Sequence, residues 1–267
     1  MELTGQKKVH IVPMGFEIDR IELPLKMIGA DKVFLLTDEK EKEIGLRYLE
    51  ELERRIKTII DVEDFKVIGC PMWDFQNLMS LICELVRKEK LAGNFIYINV
   101  SSGSKLSAIA GTLASLMYGA IPYYAQAKKY NIKNPGIKSG EICGITSGVN
   151  KILQIPSYTI ERPPDELINA LAILSDKGGR ISQKEYIFEL EKRGFIDDAI
   201  GIGRGQRKEV TKKGYAKAKR QFFEKLEEKG WAVKKGKGRS SYIEITNEGT
   251  NTFETFIKVA DVEKKQS

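Results

Sequence analysis

At 267 residues the chain exceeds one typical domain and is long enough for two, each able to bury a core without disulfide or metal staples. With 42% hydrophobic and 30% charged residues the composition excludes a disordered chain, and the apolar runs fall short of the roughly 18 residues that a transmembrane helix needs. The net charge of +7 is unevenly spread: Arg204 to Arg239 hold fourteen Lys and Arg against four Glu, a surplus of +10 in 36 residues, leaving the rest of the chain at −3.

In chain order, Lys8–Pro13, Lys32–Leu36, Phe65–Gly69, Asn94–Val100 and Ile121–Ala127 read as strands. They are short, rich in Val, Ile, Phe and Tyr, and apolar on both faces, as strands buried in a parallel sheet are. Helical spacing lies between them. One stripe carries Ile44, Tyr48, Leu52, Ile56 and Ile59. A second carries Phe75, Leu78, Met79, Ile82 and Val86, with Asp74 as its N-cap, and a third Leu106, Ile109, Ala110, Leu113 and Leu116. Strand–helix–strand repetition of this kind predicts right-handed crossovers and a doubly wound, Rossmann-like α/β sheet. Around Pro24 the pattern is mixed: the proline sits either in an early helical turn or at a kink.

Three prolines between Ile155 and Pro164 mark a linker, so the expected domains are 1–155 and 164–267. The second part opens with a helix bearing Leu167, Ile168, Leu171 and Leu174, ended by Gly178-Gly179. Ser182, with Glu185 three residues on, has the form of a capping box for the next helix. About 16 residues then precede a third helix, Thr211 to Lys229, far more than a helix-turn-helix normally allows. This insert holds Arg204, Gly205, Arg207 and Lys208, and reads either as a mobile arm or as a sign that the second helix is misplaced. Strands Trp231–Lys235 and Ser241–Thr246 flank a Gly236-Lys237-Gly238-Arg239 turn, a hairpin signal. A last helix follows with Phe253, Phe256 and Ile257 on its apolar face.

Helix, helix, basic helix, basic-tipped hairpin, helix is the order of a winged helix-turn-helix. The third helix presents Lys212, Lys213, Lys217, Lys219 and Arg220 for a major groove of double-stranded DNA, and Lys237 and Arg239 tip the wing. Read alone, the basic block is equally a solvated face; its place in this fold favours a polyanion.

In the first part, ligands of an open parallel sheet are expected beyond the carboxyl ends of the strands. Two runs stand there: Pro13-Met14-Gly15-Phe16-Glu17 after the first strand, and Asn99-Val100-Ser101-Ser102-Gly103-Ser104-Lys105 after the fourth. Backbone amides around Gly103, a helix start and the Lys105 ammonium favour an anion. The same run also fits an ordinary capped helix. It lacks the glycine spacing of a P-loop or dinucleotide fingerprint. Three widely spaced cysteines (Cys70, Cys83, Cys143) and a single histidine, His10, give neither a disulfide framework nor a zinc set. No apolar signal-peptide core opens the sequence. The expectation is a cytoplasmic protein with no cofactor and no metal. His10 reads as packed in the sheet. One of Tyr123 and Tyr124 is expected to face a ligand while the other packs, and Trp73 is divided between base stacking and a core role.

The segment NVSSGSKLSAIAGTLASLMYGAIPYY resembles the signature of CRISPR-associated Rossmann-fold (CARF) domains, with Ser102 in place of a glycine. The opening VHIVPMGFEIDRIELPLKMIGADKVFLL is similar to archaeal CARF-type regulators with C-terminal winged helices. The resemblance implies a homodimer that binds a cyclic oligoadenylate across its two-fold axis and regulates transcription of CRISPR-related genes. Its ligand-binding positions here are Gly15, Phe16, Asn99, Ser101, Ser102, Gly103, Ser104 and Lys105. Two rivals stand beside this reading: a metal-independent ring nuclease that cleaves the ligand, and a constitutive DNA-binding protein whose first domain only dimerises.

Overall fold

The computed structural model describes residues 5–38, 40, 43–131, 136–138, 141–156, 158–203, 206–236 and 238–264. The chain divides into two compact units, Met1–Glu161 and Arg162–Ser267.

The first unit is a sheet with helices on both faces. Its strands are β1 (Lys8–Pro13), β2 (Lys32–Asp38), β3 (Phe65–Cys70), β4 (Phe95–Asn99), β5 (Ile121–Tyr130), β6 (Gly136–Lys138), β7 (Glu141–Cys143) and β8 (Thr146–Gln154). Among the described residues the main sheet has six strands in the order β3-β2-β1-β4-β5-β8; β6 and β7 pair separately. All pairings from β3 to β5 are parallel, and β8 closes the edge antiparallel to β5 with a bulge at Gln126/Ala127. The central strands are buried on both faces because crossover helices cover both. Helices α1 (Ile18–Ile28) and α2 (Glu43–Ile56) share a core with Val12, Val33 and Leu35 on one side. Helices α3 (Phe75–Leu91) and α4 (Lys105–Tyr118) pack together, and a Cβ on Gly111 of α4 would lie 2.9 Å from Ile98 of β4. Strand order reverses between β1 and β4. The crevice at their carboxyl ends is therefore the switch point of the sheet, where such folds take ligands.

The sequence reading missed β8 and left α1 undecided. In α1, Pro24 is the seventh of eleven residues and is buried. It has no N–H to give the carbonyl of Arg20 four residues back, and the Asn99 side-chain amide donates to that carbonyl instead, at 2.8 Å. Asp74 caps α3 as expected, accepting from Asn77 N.

The second unit carries α5 (Asp165–Asp176), β9 (Arg180–Ser182), α6 (Gln183–Lys192), β10 (Ile200–Ile202), β11 (Lys208–Val210), α7 (Lys212–Ala218), α8 (Glu224–Glu228), β12 (Ala232–Lys235), β13 (Tyr242–Ile245) and α9 (Asn247–Lys264). A π turn, Lys219–Phe223, joins α7 to α8 as one continuous helix. The wing sheet runs β12-β13-β9, antiparallel throughout. One core gathers Leu171 and Leu174 of α5, Tyr186 and Leu190 of α6, Phe222, Leu226 and Ile243. The Ser182 hydroxyl accepts from Glu185 N, but the Glu185 carboxylate turns away to Lys177, so only half of the capping box forms. The long insert is not a sign of a misplaced helix. It holds the β10–β11 hairpin, pinned by Ile200 N to Glu191 and by Thr211 N to the Ala199 carbonyl. Arg204 and Gly205 lie outside the described residues.

Candidate ligand site and nucleic-acid interface

At the switch point, two loops meet at their backbones. A Cβ on Gly15 would lie 2.6 Å from the Gly103 amide nitrogen, and one on Gly103 2.9 Å from Pro13 Cβ. Gly103 also has φ +79, a left-handed conformation that any other residue adopts at a cost. The two glycines thus let the β1 and β4 loops touch. Beside them lies a cavity of about 270 Å³ lined by Gly15, Phe16, Glu17, Asp38, Trp73, Gly103 and Ser104, among others. Ser104 caps α4, accepting from Ser107 N at 3.1 Å, and Lys105 follows, exposed, as the first helical residue. Phe16 and Trp73 are exposed, Trp73 at 76%, so the tryptophan lies on the cavity rim and not in the core.

The eight positions named for a ligand separate into two groups. Gly15, Phe16, Gly103 and Ser104 line the cavity, and Lys105 stands at the adjoining helix start. Asn99, Ser101 and Ser102 lie beneath, buried. The Asn99 amide NH2 is spent on Arg20 O, and its carbonyl oxygen accepts from the backbone and hydroxyl of Ser101. Ser102 donates to Pro13 O at 2.8 Å. These three side chains hold the loop in shape; their polar atoms already have protein partners.

Sequence reasoning passed over Glu17. Its carboxylate folds back to within 2.2 Å of where a Gly15 Cβ would sit, a point that is also 2.6 Å from the Gly103 amide nitrogen. Burial raises its pKa, against the Arg20 charge and the backbone amides that favour ionisation. The signal available in sequence was position: an acid two residues after a glycine at the switch point.

Below the site, His10 is fully buried. Its Nε2 lies 3.2 Å from the Gly29 carbonyl, which only accepts, so Nε2 carries the proton and Nδ1 accepts from Tyr123 Oη at 3.3 Å. Burial lowers its pKa to about 4. Of the adjacent Tyr123 and Tyr124 on β5, Tyr123 packs, and half-buried Tyr124 lies under the Arg20 guanidinium at 4.8 Å.

In the second unit, Thr211 caps α7, accepting from Gly214 N. Gly214 and Ala218 face inward, leaving Lys212, Lys213, Lys219 and Arg220 exposed around Ala216. Lys217 departs from the expected outward set. Its ammonium donates to Asp197 O at 3.3 Å, on the insert side. Lys213 lies 3.6 Å from Asp198, an exposed pair that costs little to exchange for a phosphate. Glycines at φ +80 (Gly236) and +58 (Gly238) turn the wing. Lys237 and the Arg239 side chain fall outside the described residues.

Residues 8–130 match the family model described as HFX_2341_N-like, N-terminal, and residues 166–257 match the DUF6293 C-terminal winged helix domain. The chain is a Rossmann-like α/β domain followed by a winged helix domain. This is the architecture that the CARF resemblance implied. Among relatives, an uncharacterized protein of Methanocaldococcus jannaschii is 32% identical over 139 residues, 45% of this chain and 38% of that protein. An uncharacterized protein of Archaeoglobus fulgidus is 21% identical over 244 residues, 90% of this chain and 94% of that one. The chain thus spans under half of the first relative's length and nearly all of the second's. Of solved structures, Can2 from Sulfobacillus thermosulfidooxidans in complex with cyclic tetra-adenylate aligns over 94% of this chain and 64% of its own at 9% identity and TM-score 0.39. Enterococcus italicus Csm6 bound to cyclic hexa-2'-fluoro-hexa-dAMP aligns over 46% and 34% at 13% identity and TM-score 0.38.

Proposed function

We propose that the protein is a DNA-binding transcription regulator whose Rossmann-like domain responds to a cyclic oligoadenylate. The observation that carries the DNA half is the recognition helix: in a winged helix, the face turned to solvent is Lys212, Lys213, Lys219 and Arg220 around a small Ala216. Cations at the flanks neutralise phosphates while the alanine lets the helix backbone settle into the groove.

The ligand half rests on the CARF-like run Asn99–Lys105 at the switch point and on the adjacent cavity. Backbone amide, helix start and Lys105 offer a phosphate its contacts, and Phe16 and Trp73 offer a base its stacking faces. The cavity of about 270 Å³ is at the lower end for a single small ligand and holds only part of a cyclic oligonucleotide. A second copy completes it in this reading. Helix α4 supports such a pairing: it is apolar around most of its circumference yet leaves Ile109 half exposed.

The test is titration of labelled cyclic tetra- and hexa-adenylate into the protein, reading binding and cleavage, with and without promoter DNA. Binding without turnover, coupled to DNA affinity, is the expected result. Turnover would make it a ring nuclease, and DNA binding indifferent to both rings would make it a constitutive binder.

A further inference from the structure

The proposed anion site already has a carboxyl group of the protein itself beside it. Gly103 presents its N–H from a left-handed backbone at the end of β4, one residue before the cap of α4. A ligand phosphate arriving at this helix start would look for that N–H. The Glu17 carboxylate is seated beside it: the point where a Gly15 Cβ would sit lies 2.2 Å from Glu17 Oε2 and 2.6 Å from the Gly103 amide nitrogen. Glu17 is the N-cap residue of α1, yet its side chain caps nothing on α1. It is directed across the crevice to the other loop.

Resting on the reading of this crevice as a phosphate site, we propose that Glu17 is a built-in competitor: an intramolecular carboxylate that fills the phosphate position and must leave before an anionic ligand can bind. It sets a threshold on affinity and admits ligands that bring more than one contact to the crevice over simple anions. A landing place for the displaced carboxylate exists one turn along α1. Arg20 lies close enough to act on the Glu17 charge, and its guanidinium is held over Tyr124 with Nε donating to the Ala125 carbonyl. Displacement would carry the charge from the β4 loop towards β5. The neighbouring segment is tied down, since Ile145 N donates to Phe16 O at 3.0 Å, so the motion is a side-chain swing.

The groups facing Glu17 are Arg20 on α1, Asp38 at the end of β2 in the same cavity, and the phenol of Tyr130 on β5. Asp38 is the control for a general effect of negative charge. Burial makes Glu17 easier to protonate than an ordinary carboxylate, so acidification removes the competitor first.

The experiment measures binding of cyclic tetra-adenylate and of inorganic pyrophosphate to wild type, Glu17→Gln and Asp38→Asn at pH 5.5 and 7.5, with thermal melts to confirm folding. Glu17→Gln is expected to bind the cyclic ligand roughly tenfold tighter at pH 7.5, the scale of one charge-assisted contact. Wild type should tighten at pH 5.5, Glu17→Gln should not, and Asp38→Asn should keep the pH step. Equal affinity of wild type and Glu17→Gln, or an equal pH step in both, would overturn the competitor and leave the ligand reading intact. Pyrophosphate binding enhanced by Glu17→Gln without any cyclic oligoadenylate binding would uphold the competitor and overturn the ligand. Silence from every protein with both probes would overturn both.

Discussion

The one histidine of the chain should act as an internal probe of acid stability. His10 is wholly buried in β1, its ring stacked on Tyr97 at 5.0 Å, with its protonated nitrogen on the Gly29 carbonyl and its other nitrogen facing Tyr123 Oη. Charging the ring would add a proton at Nδ1, where Tyr123 now donates, in a fully buried site. Burial therefore lowers the pKa from 6.5 to about 4. Because the folded value is depressed, the neutral ring's contribution to stability is complete above pH 6.5 and is lost as pH falls towards 4. The slope reaches about 1.4 kcal/mol per pH unit, for a loss of about 3 kcal/mol by pH 4. Denaturant unfolding of wild type and His10→Gln between pH 7 and pH 4 isolates this term, since other titrations cancel in the difference. Glutamine keeps a donor for Gly29 and an acceptor for Tyr123 but takes no proton. Wild type should therefore lose about 3 kcal/mol more than the variant over that range. The lone imidazole also gives a single Cε1–H resonance by NMR, so its pKa can be followed directly. A folded-state midpoint near 6.5, or parallel stability curves for the two proteins, would refute the buried neutral site.

Four further outcomes are expected. DNA affinity should fall steeply with salt, and if a dimer neutralises about 8 phosphates, log K against log[salt] should slope near −7 in a filter or anisotropy titration; charge reversal at Lys212 and Arg220 should flatten it. Lys105→Ala should weaken cyclic oligoadenylate binding about ten- to a hundredfold by calorimetry while DNA affinity without ligand stays the same. Ile109→Asp, on the exposed apolar part of α4, should shift the full chain from dimer to monomer in sedimentation; a wild-type monomer with and without ligand would end the shared-site model. Gly214→Ala should destabilise the second unit by about 1–3 kcal/mol in thermal unfolding, because the new Cβ would meet the Ala199 carbonyl oxygen at 2.4 Å and drive α7 off the base of the hairpin.

The elements legible in sequence are those whose burial writes a period. Strands β1, β2 and β4 are covered on both faces, so they appear as apolar runs, and α2 and α3 carry a single apolar stripe. Strand β8 lies at the sheet edge and is mostly half-buried or exposed; with Gly148, Asn150 and Lys151 inside it, no period survives. The β10–β11 hairpin is only three residues a side and presents Ile202 82% exposed, so its pairing is backbone hydrogen bonding with almost no hydrophobic signature. Helix α1 hid behind Pro24, which propensity penalises heavily in a helix interior. The lost hydrogen bond is offset by Asn99, a residue from a different strand 75 positions away, and no local window contains that exchange.

The same limit separates the parts of the candidate site. Residue type and spacing locate the crevice, because Gly15 and Gly103 are needed wherever two loops must meet at van der Waals contact. They do not say which way a polar side chain will spend its hydrogen bonds. Asn99, Ser101 and Ser102 have the composition of ligand groups, yet their side-chain polar atoms bond to Arg20, Pro13 and one another. Glu17 has the composition of a helix-capping acid, yet its side chain caps nothing on α1 and lies against Gly15 instead. Lys217 sits among exposed lysines in sequence but only three residues after the inward Gly214, which rotates it towards Asp197. In each case the deciding partner comes from another element. A site at a switch point is assembled from segments that sequence keeps far apart. Its backbone frame can be read from glycines and caps, whereas the allocation of its hydrogen bonds exists only once the chain has folded.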